Sequence, residues 1–178
     1  MKVVSMNRQR AMLLSMLLLI VPAIAFCQQY EPFAKNTIFV EWSSQGPLYS
    51  VNYDRIIRQG EKMSYSIRAG FSLEKKAFSF PVGFSALTGA KGHHAEFSLL
   101  FIPYIDQGQK DKTLTKENAD KYVYINPGIG YRYQKSGGGL FIKVAAGPSI
   151  FLDPPSDDFW KMDPKLDAFV SAGIGFSF

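Results

Sequence analysis

The chain has 178 residues, of which 47% are hydrophobic and 15% aromatic, with 20 basic and 15 acidic residues, two histidines and one cysteine. That length suits one domain, and one cysteine excludes a disulfide framework. The formal charge of +5 includes three basic residues of an amino-terminal leader, so it is a poor argument for nucleic-acid binding.

In the leader, Lys2, Arg8 and Arg10 precede an uncharged run from Ala11 to Phe26, with Pro22 near its end and the small residues Ala23 and Ala25 after it. The pattern predicts a secretory signal peptide; as a membrane-spanning helix the run is close to the lower length limit and carries a breaker. Cleavage is expected after Ala25 or after Cys27, the second being favoured, which gives a leader over residues 1–27 and one domain over residues 28–178. A lipidated Cys27 is the alternative, although bulky Phe26 stands where the lipoprotein pattern wants a small residue. Without the leader the chain has 17 basic and 15 acidic residues, a net +2, and no cysteine. No long apolar run follows, so a membrane could be crossed only by strands closed into a barrel.

After Gln28 to Lys35, eight segments alternate with a period of two, the signature of β-strands with two different faces. Asn36 to Ser43 sets Ile38, Val40 and Trp42 against Thr37, Phe39, Glu41 and Ser43. Leu48 to Ile57 sets Tyr49, Val51 and Tyr53 against Ser50, Asn52 and Asp54. Met63 to Leu73 is the clearest, with Ile67, Ala69 and Phe71 opposing Ser66, Arg68 and Gly70. Ala77 to Thr88 places Phe78, Phe80, Val82 and Phe84 on one face, interrupted by Pro81, which lacks a ladder donor. His93 to Tyr104 sets Phe97, Leu99 and Phe101 against His94, Glu96 and Ser98, and Tyr122 to Gln134 sets Ile129, Tyr131 and Tyr133 against Gly128, Gly130 and Arg132. Leu140 to Phe151 opposes Ile142 and Val144 to Lys143 and Ala145. The last segment, Leu166 to Phe178, keeps one apolar face for its whole length and ends on an aromatic residue.

The connections are short after the second, fourth and sixth segments, and long after the fifth (Asp106 to Lys121) and seventh (Leu152 to Lys165). Both long loops therefore fall at one end, the asymmetry of outer-membrane barrels. The predicted fold is all-β: an eight-stranded, up-and-down, antiparallel transmembrane β-barrel. The segments Glu41 to Arg55, Gly92 to Glu96, Gly128 to Gln134 and Gly173 to Phe178 resemble small outer-membrane β-barrel proteins of Bacteroidota. The resemblance implies a barrel and an outer-membrane location, and brings no activity with it.

Alternation alone does not say which face is outside, because a lipocalin-like barrel also alternates, with its apolar side inward. Aromatic residues near strand ends, among them Trp42, Tyr49, Tyr53, Tyr131 and Tyr133, place the apolar face toward lipid, and Phe176 and Phe178 resemble the signal read by barrel-assembly machinery. The interior then holds Glu41, Asp54, Glu96 and Asp167 with Arg68, Arg132 and Lys143, expected to pair as a polar plug with no open pore. Glu96, Arg132 and Lys143 are expected at one level as a single network.

Two outer-loop features stand apart. Phe159, Trp160 and Met162 form an apolar cluster that either packs on the rim or contacts another extracellular or envelope protein, and Asp153, Asp157, Asp158 and Asp163 lack the spacing of a calcium loop. His94, Glu96 and Ser98 share a face but match no hydrolase pattern. The functional expectation is a non-enzymatic outer-membrane protein with no catalytic residue, metal or cofactor. Its expected partners are membrane lipid and, during insertion, the assembly machinery, with no nucleic acid. The rivals are a soluble periplasmic barrel around an apolar ligand and, more distantly, a lipid-modifying enzyme.

Overall fold

A strand's backbone donors and acceptors point to its two edges, and here each strand pairs with the next while the last returns to the first. A computed structural model describes residues 34–75, 77–90, 92–106, 120–152 and 164–178. The strands are β1 (Asn36–Ser43), β2 (Tyr49–Arg58), β3 (Ser64–Glu74), β4 (Ala77–Ser79), β5 (Val82–Ala90), β6 (His93–Asp106), β7 (Asp120–Gln134), β8 (Gly139–Leu152) and β9 (Lys165–Ser177). β4 and β5 are two parts of one stave, since both lie between β3 and β6. All pairings are antiparallel, and β9 closes on β1 from Thr37 opposite Ser177 to Ser43 opposite Ser171. Asn36 and Phe178 seal the seam by exchanging backbone hydrogen bonds of 3.0 and 2.8 Å. The result is a closed, up-and-down barrel of eight staves.

The fourth predicted segment differs in detail, being broken at Phe80 and Pro81. Proline has no N–H to donate, so the regular ladder lapses there. The stave continues because Gly70 N–H donates to the Pro81 carbonyl at 2.8 Å and Phe80 N–H to the Pro103 carbonyl at 3.1 Å. A second irregularity is a bulge in β2, where Ile56 pairs with Ser66 but Arg58 with Tyr65. One extra residue sits on β2, and the strand ends with its last side chains turned outward.

Followed from partner to partner once round the barrel, the register shifts by about ten residues. With strands about 4.8 Å apart and about 3.3 Å of rise per residue, that shift tilts the staves by about 40° from the barrel axis. The end where β1 begins and β9 finishes is called the near end; it carries the tight turns after β2, β5 and β7. Gly92 (φ +85°) and Gly138 (φ +82°) occupy left-handed positions in two of these turns, and a Cβ on Gly92 would stand 3.0 Å from the Gln134 carbonyl oxygen. The far end carries the β1–β2 turn, the turn after β3, and the connections over residues 107–119 and 153–163. The leader, the cluster of Phe159, Trp160 and Met162, and the four aspartates of the last loop lie outside the described residues.

Burial follows parity. Ile38, Trp42, Ile67, Phe84, Phe97, Leu99, Ile129 and Val170 are exposed on the outer wall, Ile129 by 64%. Thr37, Glu41, Asn52, Asp54, Ser66, Arg68, Glu96, Arg132 and Lys143 are buried within. The fold is therefore polar inside and apolar outside.

Candidate functional site

Small residues decide what the lumen can hold. Gly173 on β9 leaves room for Phe39, whose ring would stand 3.2 Å from a Cβ added there. Phe39 in turn meets Phe141 from β8, ring centroids 4.9 Å apart. These two inward rings form a floor for the charges: Arg68 stands 5.3 Å and Lys143 5.8 Å from the Phe39 centroid, and Arg132 stands 4.9 Å from that of Phe141. Cations stacked on aromatic faces are favoured most where water is scarce.

Two ion-pair clusters are built on this floor. In the first, Arg132 Nη2 meets Asp54 Oδ1 at 2.7 Å across the lumen, and Ser66 Oγ donates to Asp54 Oδ2 at 3.0 Å. Arg132 Nε donates to Gln134 Oε1 at 2.9 Å, and Gln134 Nε2 donates to the Ala34 carbonyl at 2.6 Å. That last bond draws the chain before β1 across the near mouth. In the second cluster, Arg68 pairs with Glu41, while Lys143 Nζ lies 2.9 Å from Glu96 Oε1 and 4.0 Å from Glu41 Oε1. Ser85 Oγ also donates to Glu96 Oε1, at 2.7 Å. Three acids thus face three bases, each buried and each within reach of an opposite charge. Such pairing offsets a desolvation cost that would otherwise be several kcal/mol per ion.

The structure rearranges two expectations. Asp167 lies outside the clusters: it is exposed at the far rim, where its carboxylate accepts Gln45 Nε2 at 2.7 Å and the Ala168 N–H at 2.7 Å. Its stave outruns the facing one, since β1 ends at Ser43, opposite Ser171. The expected single network of Glu96, Arg132 and Lys143 is divided, because Arg132 takes Asp54 as its ion partner and Lys143 takes Glu96. Phe39, Phe141, Gln134, Ser66 and Ser85 complete the clusters and were not singled out from the sequence. The signal for the rings was the run of glycines at Gly173 and Gly175 on the facing stave.

Catalysis would need a nucleophile and a base in contact. His94 and Ser98 lie four residues apart on one strand, a separation of about 13 Å. Glu96, between them, is occupied by Lys143 and Ser85. Among the described residues, no cluster of histidine, cysteine and carboxylate side chains could hold a metal ion. Comparison with known protein families, curated proteins and solved structures finds no match. Any functional reading therefore rests on the geometry.

The far mouth is narrowed as well. Glu74 Oε1 accepts the Leu48 N–H at 2.7 Å and Glu74 Oε2 accepts Tyr104 O–H at 3.2 Å, so one carboxylate ties the β1–β2 turn to β6. Beneath it a small gap of about 20 Å³, room for about one water molecule, lies between Pro47 and the Arg68–Glu41 pair, with Leu100, Ile102 and Phe169 on its wall. Around it, among the described residues, the lumen is filled by buried polar side chains.

Proposed function

We propose that the protein is an integral outer-membrane barrel that catalyses no reaction, its lumen a structural plug and its far-end loops the surface available for contacts. The observation that carries this reading is the outer wall. On β9, Leu166, Val170, Ile174 and Phe176, with Phe178 just beyond the strand, are exposed on one side without interruption by a charge. Twelve residue steps at about 3.3 Å, tilted by about 40°, make this stripe about 30 Å tall, the thickness of a bilayer's hydrocarbon core. Water is a poor solvent for such a wall, and lipid a good one. Membrane lipid is then the principal partner.

The rival, a soluble periplasmic barrel with an apolar ligand, reverses the sign of one substitution. Leu99→Arg, half-way up the wall, is expected to destabilise a lipid-embedded barrel by about 2–4 kcal/mol and to abolish most of its insertion. In a soluble barrel the same change would leave stability within about 0.5 kcal/mol and improve solubility. The readout is the unheated against boiled gel mobility of carbonate-washed outer membranes. A wild-type band that stays with the pellet and shifts on boiling, lost in Leu99→Arg, is expected. A wild-type protein recovered in the soluble fraction would overturn the reading.

A further inference from the structure

The outer wall is not apolar to its very edge. Near the seam, Arg55 stands outward on β2, opposite Asn36 on one side and Ile67 on the other. The bulge after Ile56 brings Arg58 out beside Tyr65, on the same wall, although regular alternation would have sent it into the lumen with Asn52, Asp54 and Ile56. Both guanidinium groups are exposed, and among the described residues neither forms an ion pair. Their contrast with the lumen is complete, since every buried base there has an acid.

The charges outside the lumen are also unevenly shared between the two ends. Among the described side chains the near end carries Lys35, Arg55, Arg58, Lys62 and Lys135 against Glu61, an excess of four positive charges. Among the described side chains of the far end Glu74, Asp106 and Asp167 are balanced by Lys75, Lys121 and Lys165. Amphipathic rings mark the same height as the two arginines: Tyr53 O–H donates to Asn36 Oδ1 at 2.7 Å, and the Tyr65 ring stacks on Phe84 at 5.8 Å. Exposed Ile57 and Ile67 continue the wall beside them.

We infer that Arg55 and Arg58 form a binding site for the phosphate of an anionic phospholipid in the leaflet that the near end meets. The inference rests on the membrane reading above and adds to it a ligand and a place. Three residues of strand separate the two Cα atoms by about 10 Å, so two long side chains can converge on one headgroup. A guanidinium presents paired N–H donors that match phosphate oxygens, and is weakly enough hydrated to do so at an interface. Ile57, Tyr65 and Ile67 supply the apolar surface that an acyl chain needs and a free phosphate does not.

The test uses the folded barrel inserted in phosphatidylcholine vesicles with and without phosphatidylglycerol, then extracted in mild detergent, with retained lipid counted by native mass spectrometry. Wild-type protein is expected to retain phosphatidylglycerol about tenfold more than Arg55→Gln/Arg58→Gln, while Lys35→Gln/Lys62→Gln, in the same charge excess but off the wall, stays near wild type. Equal retention by wild type and the arginine variant, or equal loss in both double variants, would overturn the site. Full displacement by inorganic phosphate would assign the pair to free phosphate and overturn the lipid. Failure of wild type to insert into phosphatidylcholine alone would overturn the membrane reading and this one with it, and it is read separately from lipid retention.

Discussion

Arg132→Ala is expected to lower the unfolding free energy by about 3–5 kcal/mol, measured by urea unfolding of the folded barrel. Arg132 is 1% exposed, and its removal leaves the Asp54 carboxylate buried with Ser66 Oγ as its remaining donor. It also frees Gln134 Oε1 and uncovers the Phe141 face. Asp54→Ala is expected to cost a similar amount, because it strands the guanidinium instead. The Arg132→Ala/Asp54→Ala double variant should then fall short of the sum by about 2–3 kcal/mol, since the second truncation removes a charge already without its partner. Glu96→Ala with Arg132→Ala should be closer to additive, as those residues have different ion partners. Raising the salt concentration should change none of these values much, because buried pairs are poorly screened. Additive losses for Arg132 and Asp54 would mean that the pair does not hold the lumen together.

Much of this architecture can be read in the chain, for a physical reason. Residues of β3 and β9 alternate between two environments that differ as sharply as a protein allows, so Ile67 and Arg68, or Ile174 and Gly173, declare their faces at once. Alternation, however, gives a face without a height. Asp167 shares its parity with Gly173 and Gly175 yet stands at the rim, because β9 rises beyond the end of β1. Nor does it give a partner: with a register shift of about ten residues, Arg132 on β7 reaches Asp54 on β2, on another part of the wall. The doublet Ile56-Ile57 was the visible trace of the bulge, one residue too many in an alternating run, and the outward turn of Arg58 follows from it. Pro81 was legible as a flaw in a strand, and the two flanking hydrogen bonds that repair the flaw were not.

The rings under the charges are the part that sequence reasoning passed over, and they carry the other large expected effect. Phe39 is 2% exposed, in contact with Phe141 and beneath both Arg68 and Lys143. Phe39→Ala is expected to cost about 3–5 kcal/mol in the same unfolding measurement, through lost packing and the cavity that remains. Phe101→Ala, an outward ring of the same type, should cost clearly less, since its ring is 43% exposed and its removal leaves no enclosed cavity. The partner of Phe39 is an absence of side chain: a Cβ on Gly173 would stand 3.1 Å from Lys143 Cγ and 3.2 Å from Phe39 Cδ2. Gly173→Ala alone should therefore cost about 1–2 kcal/mol, as it crowds the ring and the lysine stem. Introduced after Phe39→Ala, the same methyl meets a cavity where the ring had been, and its cost should fall to what the Lys143 stem and the Val40 carbonyl oxygen, 3.3 Å away, still impose. A Gly173→Ala penalty that is unchanged by loss of the ring would show that ring and glycine are not matched to each other.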